Sequence, residues 1–260
     1  MVSQLELKKL ALRCKRLIIN SNIKKRSYYK KPFKHLIIDD FLDIKYANAC
    51  LKNFPKNNSE QWEHSNVEDI EIKSRTKWKS EFDIPEKIID VVRLLNSSII
   101  LNSISSVLEI PKLMPDPYFT GGGLNNSLYG GKLDIHIDGN YHDASGMNRR
   151  VNAILYLNKN WHSEWGGEFG VYANNGNKLV RKIIPKFNRL VIFDTHDKSF
   201  HGIVNPVSCP KTQSRKSLIL YYYTVAKRDK NQIYVDKPHS ALWKKKLFKD
   251  KNGKLKRKFY

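Results

Sequence analysis

His136 and Asp138 stand two residues apart in the stretch KLDIHIDGN, residues 132–140. Read with a period of two, Leu133, Ile135 and Ile137 face one way, and Lys132, Asp134, His136 and Asp138 face the other. An imidazole and a carboxylate on the polar face of one strand supply two donors of a 2-His-1-carboxylate set, which binds Fe(II) and leaves positions open. The second histidine must come from a distant element. His201 in FDTHDKSFHGIV is the best candidate, because it follows the strand-like RLVIFD and precedes Gly202. Further on, Arg215 opens RKSLILYYYT, whose alternation places Arg215, Ser217, Ile219 and Tyr221 on one face. A buried arginine facing a metal cavity suits a dicarboxylate, since the guanidinium fork can hold a carboxylate through two parallel hydrogen bonds.

Such residues need a rigid frame. SQLELKKLALRCKRLII reads as a basic amphipathic helix, with Leu5, Leu7, Leu10, Leu12 and Leu17 loosely clustered. KPFKHLIIDDFL predicts a strand and a turn, and DIKYANACLKNF a helix that Pro55 follows. Residues 56–80 read as polar and irregular. IPEKIIDVVRLLNSSIILNSISSVL predicts one or two helices, opened by Pro85 and stopped before Pro111. After LMPDPYFTGGG the texture changes to short strands: KLDIHID, RVNAILYLN, GEFGVYAN, KLVRKIIP, RLVIFD and KSLILYYYTV. Helices first and strands later predict an α+β fold: a double-stranded β-helix (jelly-roll) core with N-terminal helices packed on one sheet. The polar face of KLDIHID would then point inside.

With 260 residues, 40% of them hydrophobic and 11% aromatic, the chain can build a substantial core. It contains no apolar run of about 18 residues, and its N-terminus lacks the pattern of a secretory signal. Three scattered cysteines, Cys14, Cys50 and Cys209, fit neither a disulfide framework nor a zinc knuckle and suit a reducing cytoplasm. The net charge of +22 is concentrated at the ends. Residues 1–34 hold 11 Lys/Arg against one acid and residues 227–260 hold 13 against three, which leaves +2 for the 192 residues between. The expected organisation is a basic N-terminal extension (1–34), a catalytic domain (35–226, with helical support 35–118 and jelly-roll core 119–226) and a basic C-terminal tail (227–260). Solvated extensions are the simplest reading of such ends, and a screened contact with nucleic acid or another acidic partner is the alternative.

The whole run GGGLNNSLYGGKLDIHIDGNYHDASGMNRRVNAILYLNKNWHSEWGGEFGVY resembles the Fe(II)/2-oxoglutarate-dependent oxygenase superfamily, in its prolyl 4-hydroxylase-like branch. The shared pieces are H-x-D, RR-x-N-x-x-x-YLN-x-x-W, WGGE, I-x-P-x-x-N-R-L-V-x-F, the distal His-Gly and R-x-S before a tyrosine-rich strand. KPHSALWKK resembles the ending of bacterial and viral members, so the resemblance spans roughly residues 32–245. It implies Fe(II) bound by His136, Asp138 and His201, and 2-oxoglutarate paired with Arg215. Tyr156 would assist that carboxylate, with Asn152 and Ser217 lining the same pocket and Tyr129 a further candidate for its wall. Ascorbate is a candidate helper. Two positions depart from related chains: Gly139, where H-x-D-F-N is common, and Asn125, where histidine is frequent.

The expected activity is hydroxylation of an unactivated C–H bond with release of succinate and CO2, on a prolyl or other amino-acid residue. The same chemistry on a small molecule or glycan precursor is the alternative, as is a non-catalytic binding protein that works through its basic ends. The pair His162/Glu164 has ligand-like spacing but sits in a loop, and His142, Asp143, His196 and Asp197 read as loop residues.

Overall fold

The computed structural model describes residues 2–23, 27–67, 70–235, 237–249 and 255–257. In chain order the first elements are α1 (Gln4–Ile23), β1 (Tyr28–Tyr29), β2 (His35–Ile38), α2 (Ile44–Lys52), β3 (Trp62–Val67) and β4 (Glu71–Thr76). Then come α3 (Glu86–Leu95), α4 (Ser98–Leu108), β5 (Met114–Pro115), β6 (Gly123–Ser127), β7 (Lys132–Leu133), β8 (His136–Ile137) and β9 (Asn148–Tyr156). The rest are β10 (Phe169–Ala173), β11 (Lys178–Ile183), β12 (Arg189–Asp194), β13 (His201–Ile203), β14 (Arg215–Thr224) and β15 (Leu242–Trp243). A separate hairpin pairs β16 (Leu247–Lys249) with β17 (Leu255–Arg257).

The strands form two antiparallel sheets. The larger runs β1-β2-β12-β9-β14-β6-β4-β3, with β5 added on β14 and β7 on β4; the smaller runs β11-β10-β13-β8-β15. This is the jelly-roll core that the sequence predicts. The central strand β9 shows how the layers divide. Val151, Ala153 and Leu155 join the large apolar core shared with the helices, whereas Ile154 and Tyr156 point to the inner core with Phe169, Val171 and Phe193. One strand, period two, thus separates a structural face from a cavity face.

The helices form because each offers the larger sheet an apolar stripe. In α3, Ile88, Val91, Val92, Leu94 and Leu95 are buried. Pro85 opens that helix, and α4 ends on Glu109, whose left-handed φ of 58° turns the chain toward Pro111.

Four expectations need correction. First, residues 1–34 are not an appended extension: α1 packs against α4, α3 and β2, burying Leu10, Ala11, Cys14 and Ile18. The buried stripe follows the 3.6-residue period, and Leu5 and Leu12 of the expected cluster are exposed. Second, residues 56–80 contain the hairpin β3–β4; its polarity reflects a partly solvated position, and Glu71, Lys73 and Arg75 face the central cavity. Third, KLDIHID is not one strand. β7 pairs with β4 in the larger sheet and β8 with β13 and β15 in the smaller, so the chain changes sheets at Asp134–Ile135. Fourth, the tail expected over 227–260 contributes β15 to the smaller sheet; residues 250–254 and 258–260 lie outside the described residues.

Candidate active site

His136 on β8 and His201 on β13 are direct antiparallel partners, which brings two residues distant in sequence side by side. Asp138 follows β8 immediately. Its Oδ1 lies 3.6 Å from His136 Nε2 and 3.7 Å from His201 Nε2. One donor atom from each residue lies within 4.8 Å of the others, and all three side chains are buried. Among the described residues this is the one His/Cys/Asp/Glu group with such geometry.

Each imidazole is fixed from behind. His136 Nδ1 is 2.8 Å from the Asp134 carbonyl and His201 Nδ1 is 2.8 Å from the Ser199 carbonyl. Donation from Nδ1–H to these oxygens leaves both Nε2 lone pairs aimed at Asp138, the tautomer a metal ligand needs. Burial pushes His201 down to about 4, so the ring is neutral near pH 7. Burial raises the Asp138 carboxyl, but the neighbouring His201, His136 and Arg149 outweigh it and hold it well below the usual carboxylate range. Gly202 has a structural reason to follow His201: a Cβ there would meet the Asp134 carbonyl oxygen at 2.9 Å, where the chain crosses between sheets.

The three residues open into a cavity of about 350 Å³ between the sheets, which Arg215, Ile154, Phe169, Ile219 and Tyr221 also line. Arg215 is buried; its Nε donates to the Gly167 carbonyl (2.7 Å) and its Nη2 to the Tyr156 hydroxyl (3.1 Å). No acidic side chain pairs with Arg215 among the described residues. Ser217 stands between Arg215 and Ile219 on the same face of β14, and its Oγ is buried without a hydrogen-bond partner among the described residues. A preorganised guanidinium, a phenol and an orphaned hydroxyl side by side fit a carboxylate of the size of 2-oxoglutarate's. Two imidazoles and one carboxylate fit Fe(II).

The structure brings His136, Asp138, His201, Arg215 and Asn152 together around the cavity; Tyr156 lies behind it, bonded to Arg215, and Ser217 lies opposite Tyr156 on β14 without lining the cavity. Asn152 acts on the metal side: its Nδ2 donates to Asp138 Oδ2 at 3.2 Å, which orients the carboxylate. Tyr129 is placed elsewhere. It is 66% exposed in the loop between β6 and β7 and does not line the cavity, because the glycine turn that follows carries it outward. His162 and Glu164 are exposed, as the loop context predicts. His142 is a loop residue, but a buried one: its Nε2 lies 3.0 Å from Asp116 Oδ1, in a pair that ties the 116–120 loop to the loop ahead of β9.

Arg149 was missed by alternation. The register of β9 against β14 slips between Tyr222 and Tyr223, so that Val151 opposes Tyr222 and Arg149 opposes Tyr223. This bulge turns Arg149 into the cavity, although parity with Asn152 would turn it away. Its guanidinium sits 4.1 Å from the Tyr221 ring centre, and its Nε has no hydrogen-bond partner among the described residues. The RR pair in the motif was the only signal available. Trp243, which packs on His136 with ring centres 4.7 Å apart, was also missed, because it lies in the segment read as a tail.

Comparison with known proteins agrees with this geometry. Residues 123–223 match the model of the 2OG-Fe(II) oxygenase superfamily. Solved structures of the same fold include a prolyl hydroxylase from Trichoplax adhaerens in complex with a hypoxia inducible factor peptide fragment. It has a TM-score of 0.60 and 22% identity, with 86% of this chain and 94% of that one covered. A Pseudomonas putida prolyl-4-hydroxylase has a TM-score of 0.55 and 16% identity, with 82% and 98% covered. Among curated proteins, Prolyl 3-hydroxylase OGFOD1 of Mus musculus is 31% identical over 86 residues, 32% of this chain. The matched stretch spans only 15% of that protein. The chain thus shares the fold of these solved prolyl hydroxylases, and a stretch of under half its length resembles the 2OG-Fe(II) oxygenase superfamily.

Proposed function

We propose that this chain is an Fe(II)- and 2-oxoglutarate-dependent dioxygenase that hydroxylates a C–H bond of a prolyl residue in a peptide or protein. The observation that carries the reading is the convergence of His136, Asp138, His201 and Arg215 on one cavity between the two sheets. Iron and 2-oxoglutarate, when bound, supply with O2 the oxidising power: one oxygen atom enters the substrate hydroxyl, the other enters succinate, and CO2 leaves.

The protein's part is placement. His136 and His201 present their Nε2 atoms to the site, each ring held through Nδ1 by the carbonyls of Asp134 and Ser199. Asn152 keeps Asp138 turned toward them. Arg215, oriented by Tyr156 and flanked by Ser217, would hold the far carboxylate of 2-oxoglutarate, and Ile154, Phe169 and Ile219 would keep that end dry. The substrate would enter past Glu71, Lys73, Arg75 and Arg149, whose polar edge suits a peptide backbone more than an apolar small molecule. A prolyl substrate is supported by the prolyl hydroxylase names of the curated and structural relatives; these differ in the ring carbon, position 3 or position 4. The three cysteines are free and buried, which supports a reducing, cytoplasmic setting as part of the proposal. Among the described residues no single helix is long and apolar enough to cross a membrane.

The test is turnover with Fe(II), 2-oxoglutarate and a panel of proline-containing peptides, followed by succinate release and by a one-oxygen mass increase on the peptide. Fragment spectra against 3- and 4-hydroxyproline standards assign the carbon. His136→Ala and His201→Ala should abolish both readouts. Succinate release that never transfers oxygen to any prolyl peptide, yet does so to a free small molecule, would replace the substrate class while keeping the reaction.

A further inference from the structure

Asp138 is followed by Gly139, and the reason lies about a hundred residues away. A Cβ on Gly139 would meet the His239 carbonyl oxygen at 2.9 Å and Ser240 Cα at 3.2 Å. Both are backbone atoms of a segment that crosses directly above the iron-binding residues. The contact leaves no room for a side chain at this position.

The segment is built in at several points. Asn140 grips it three times: its N–H donates to the His239 carbonyl, its Nδ2 to the Lys237 carbonyl, and its Oδ1 accepts from the His239 N–H. Buried Asp197 acts as a second anchor. Its Oδ2 accepts from the N–H groups of Tyr234 and Val235, and its Oδ1 lies 3.3 Å from His239 Nε2. Leu242 is buried with Ile137, Tyr172 and Phe200, and the Lys244 N–H donates to the Ile135 carbonyl. The outcome is strand β15, in which Trp243 stands directly opposite His136. Their rings lie 4.7 Å apart at an interplanar angle of 33°, and His239, Ser240, Ala241 and Trp243 all line the cavity.

We propose that residues 237–243 form a fixed wall of the active site, in which Trp243 is a positioning residue for His136 and Gly139 is the position that makes room for the wall. This rests on the iron-binding reading of His136, Asp138 and His201. His136 is held from one side by the Asp134 carbonyl and from the other by the indole, so its ring plane is set by the C-terminal segment as well as by its own strand. The wall also narrows the entrance, which leaves the substrate an approach between the wall and the β4 edge bearing Glu71, Lys73 and Arg75. The space a side chain at Gly139 would need is taken by the backbone of His239 and Ser240.

Co(II), whose visible absorption reports ligand geometry, probes the metal-free protein without turnover. Trp243→Ala should weaken Co(II) binding about tenfold and alter the band shape, as loss of an outer contact to a ligand does. Trp243→Phe should restore both. Gly139→Phe should reproduce the Trp243→Ala spectrum and make the chain cleavable by protease between residues 237 and 243. A chain ending at Lys245 should keep the parent affinity. Parent-like affinity and spectrum in Trp243→Ala would overturn the proposal, as would a protected segment in Gly139→Phe. If Trp243→Ala fails to fold, the Gly139→Phe variant carries the test. Protection in that variant overturns the proposal. A parent protein that binds no Co(II) would remove the iron reading itself, a failure distinct from parent binding that the variants leave unchanged.

Discussion

Replacing Arg215 by alanine removes a buried cation that no acidic side chain pairs with among the described residues, and whose Nε and Nη2 are already aligned by Gly167 and Tyr156. If its role is to hold the far carboxylate of 2-oxoglutarate, the variant leaves that carboxylate buried without its charged partner. Such a loss costs about 2–5 kcal/mol. At about 1.4 kcal/mol per factor of ten, the dissociation constant should rise between about 30-fold and several thousand-fold. The lower end applies if Ser217 Oγ and the Tyr156 hydroxyl still donate to the carboxylate. Arg215→Lys keeps the charge but loses the fork, and should fall between parent and alanine variant. The assay is an anaerobic titration of 2-oxoglutarate into Fe(II)-loaded protein, followed by the visible charge-transfer band of the chelate. Circular dichroism and thermal unfolding run alongside, because Tyr156 and the Gly167 carbonyl also lose a partner. Affinity within threefold of the parent, in a variant that is folded and retains iron, would refute the assignment.

Asn152→Ala should lower Fe(II) affinity about tenfold while leaving the 2-oxoglutarate requirement of the loaded enzyme nearly unchanged, since Asn152 donates to Asp138 rather than to Arg215. The two are separated by competition with a metal-chelating dye. Ile18→Ala in α1 should cost about 2–5 kcal/mol in urea denaturation, because Ile18 is fully buried against the helical layer; a loss below about 0.5 kcal/mol would return α1 to the status of an extension. Burial pushes His35 down to about 4 and His196 to about 3. Both are neutral in the fold but take up a proton near pH 6.5 when unfolded. The unfolded state therefore binds more protons below pH 6.5, and stability must fall as the pH drops from about 6.5 toward 4. The slope should reach about 1.4 kcal/mol per pH unit for each histidine. Denaturation midpoints that stay flat between pH 7 and 4.5 would contradict their buried, neutral state.

The chemistry of the site was legible because its parts are local in sequence. H-x-D fixes two donors by strand parity, His-Gly marks the third, and the alternation from Arg215 places arginine, serine and tyrosine on one face. The helical layer was legible from the 3.6-residue stripes of α2, α3 and α4. Where the reading failed, a distant partner had overridden a local pattern. KLDIHID has the alternation of one strand, yet hydrogen bonding to β4 at one end and to β13 at the other splits it between two sheets. Arg149 sits out of phase because a bulge against Tyr222 and Tyr223 shifts parity by one. The polar residues 56–80 form a hairpin whose pairing, not its composition, makes it a strand pair.

The basic ends show the same limit. Charge counts cannot tell a solvated tail from an element whose apolar residues are few but aligned. In α1, Leu10, Cys14 and Ile18 make such a stripe among many lysines and arginines. By itself the sequence determined which donors exist, that they alternate on strands, and that an arginine accompanies them, because side-chain parity and ligand chemistry are local properties. Only the tertiary structure decided that His136 meets His201, that Asn152 turns Asp138, that Trp243 packs on His136, and that the backbone of His239 and Ser240 closes over Gly139. Those contacts join residues as many as a hundred positions apart, and hydrogen-bond register and close packing across the sheets, not local propensity, select them.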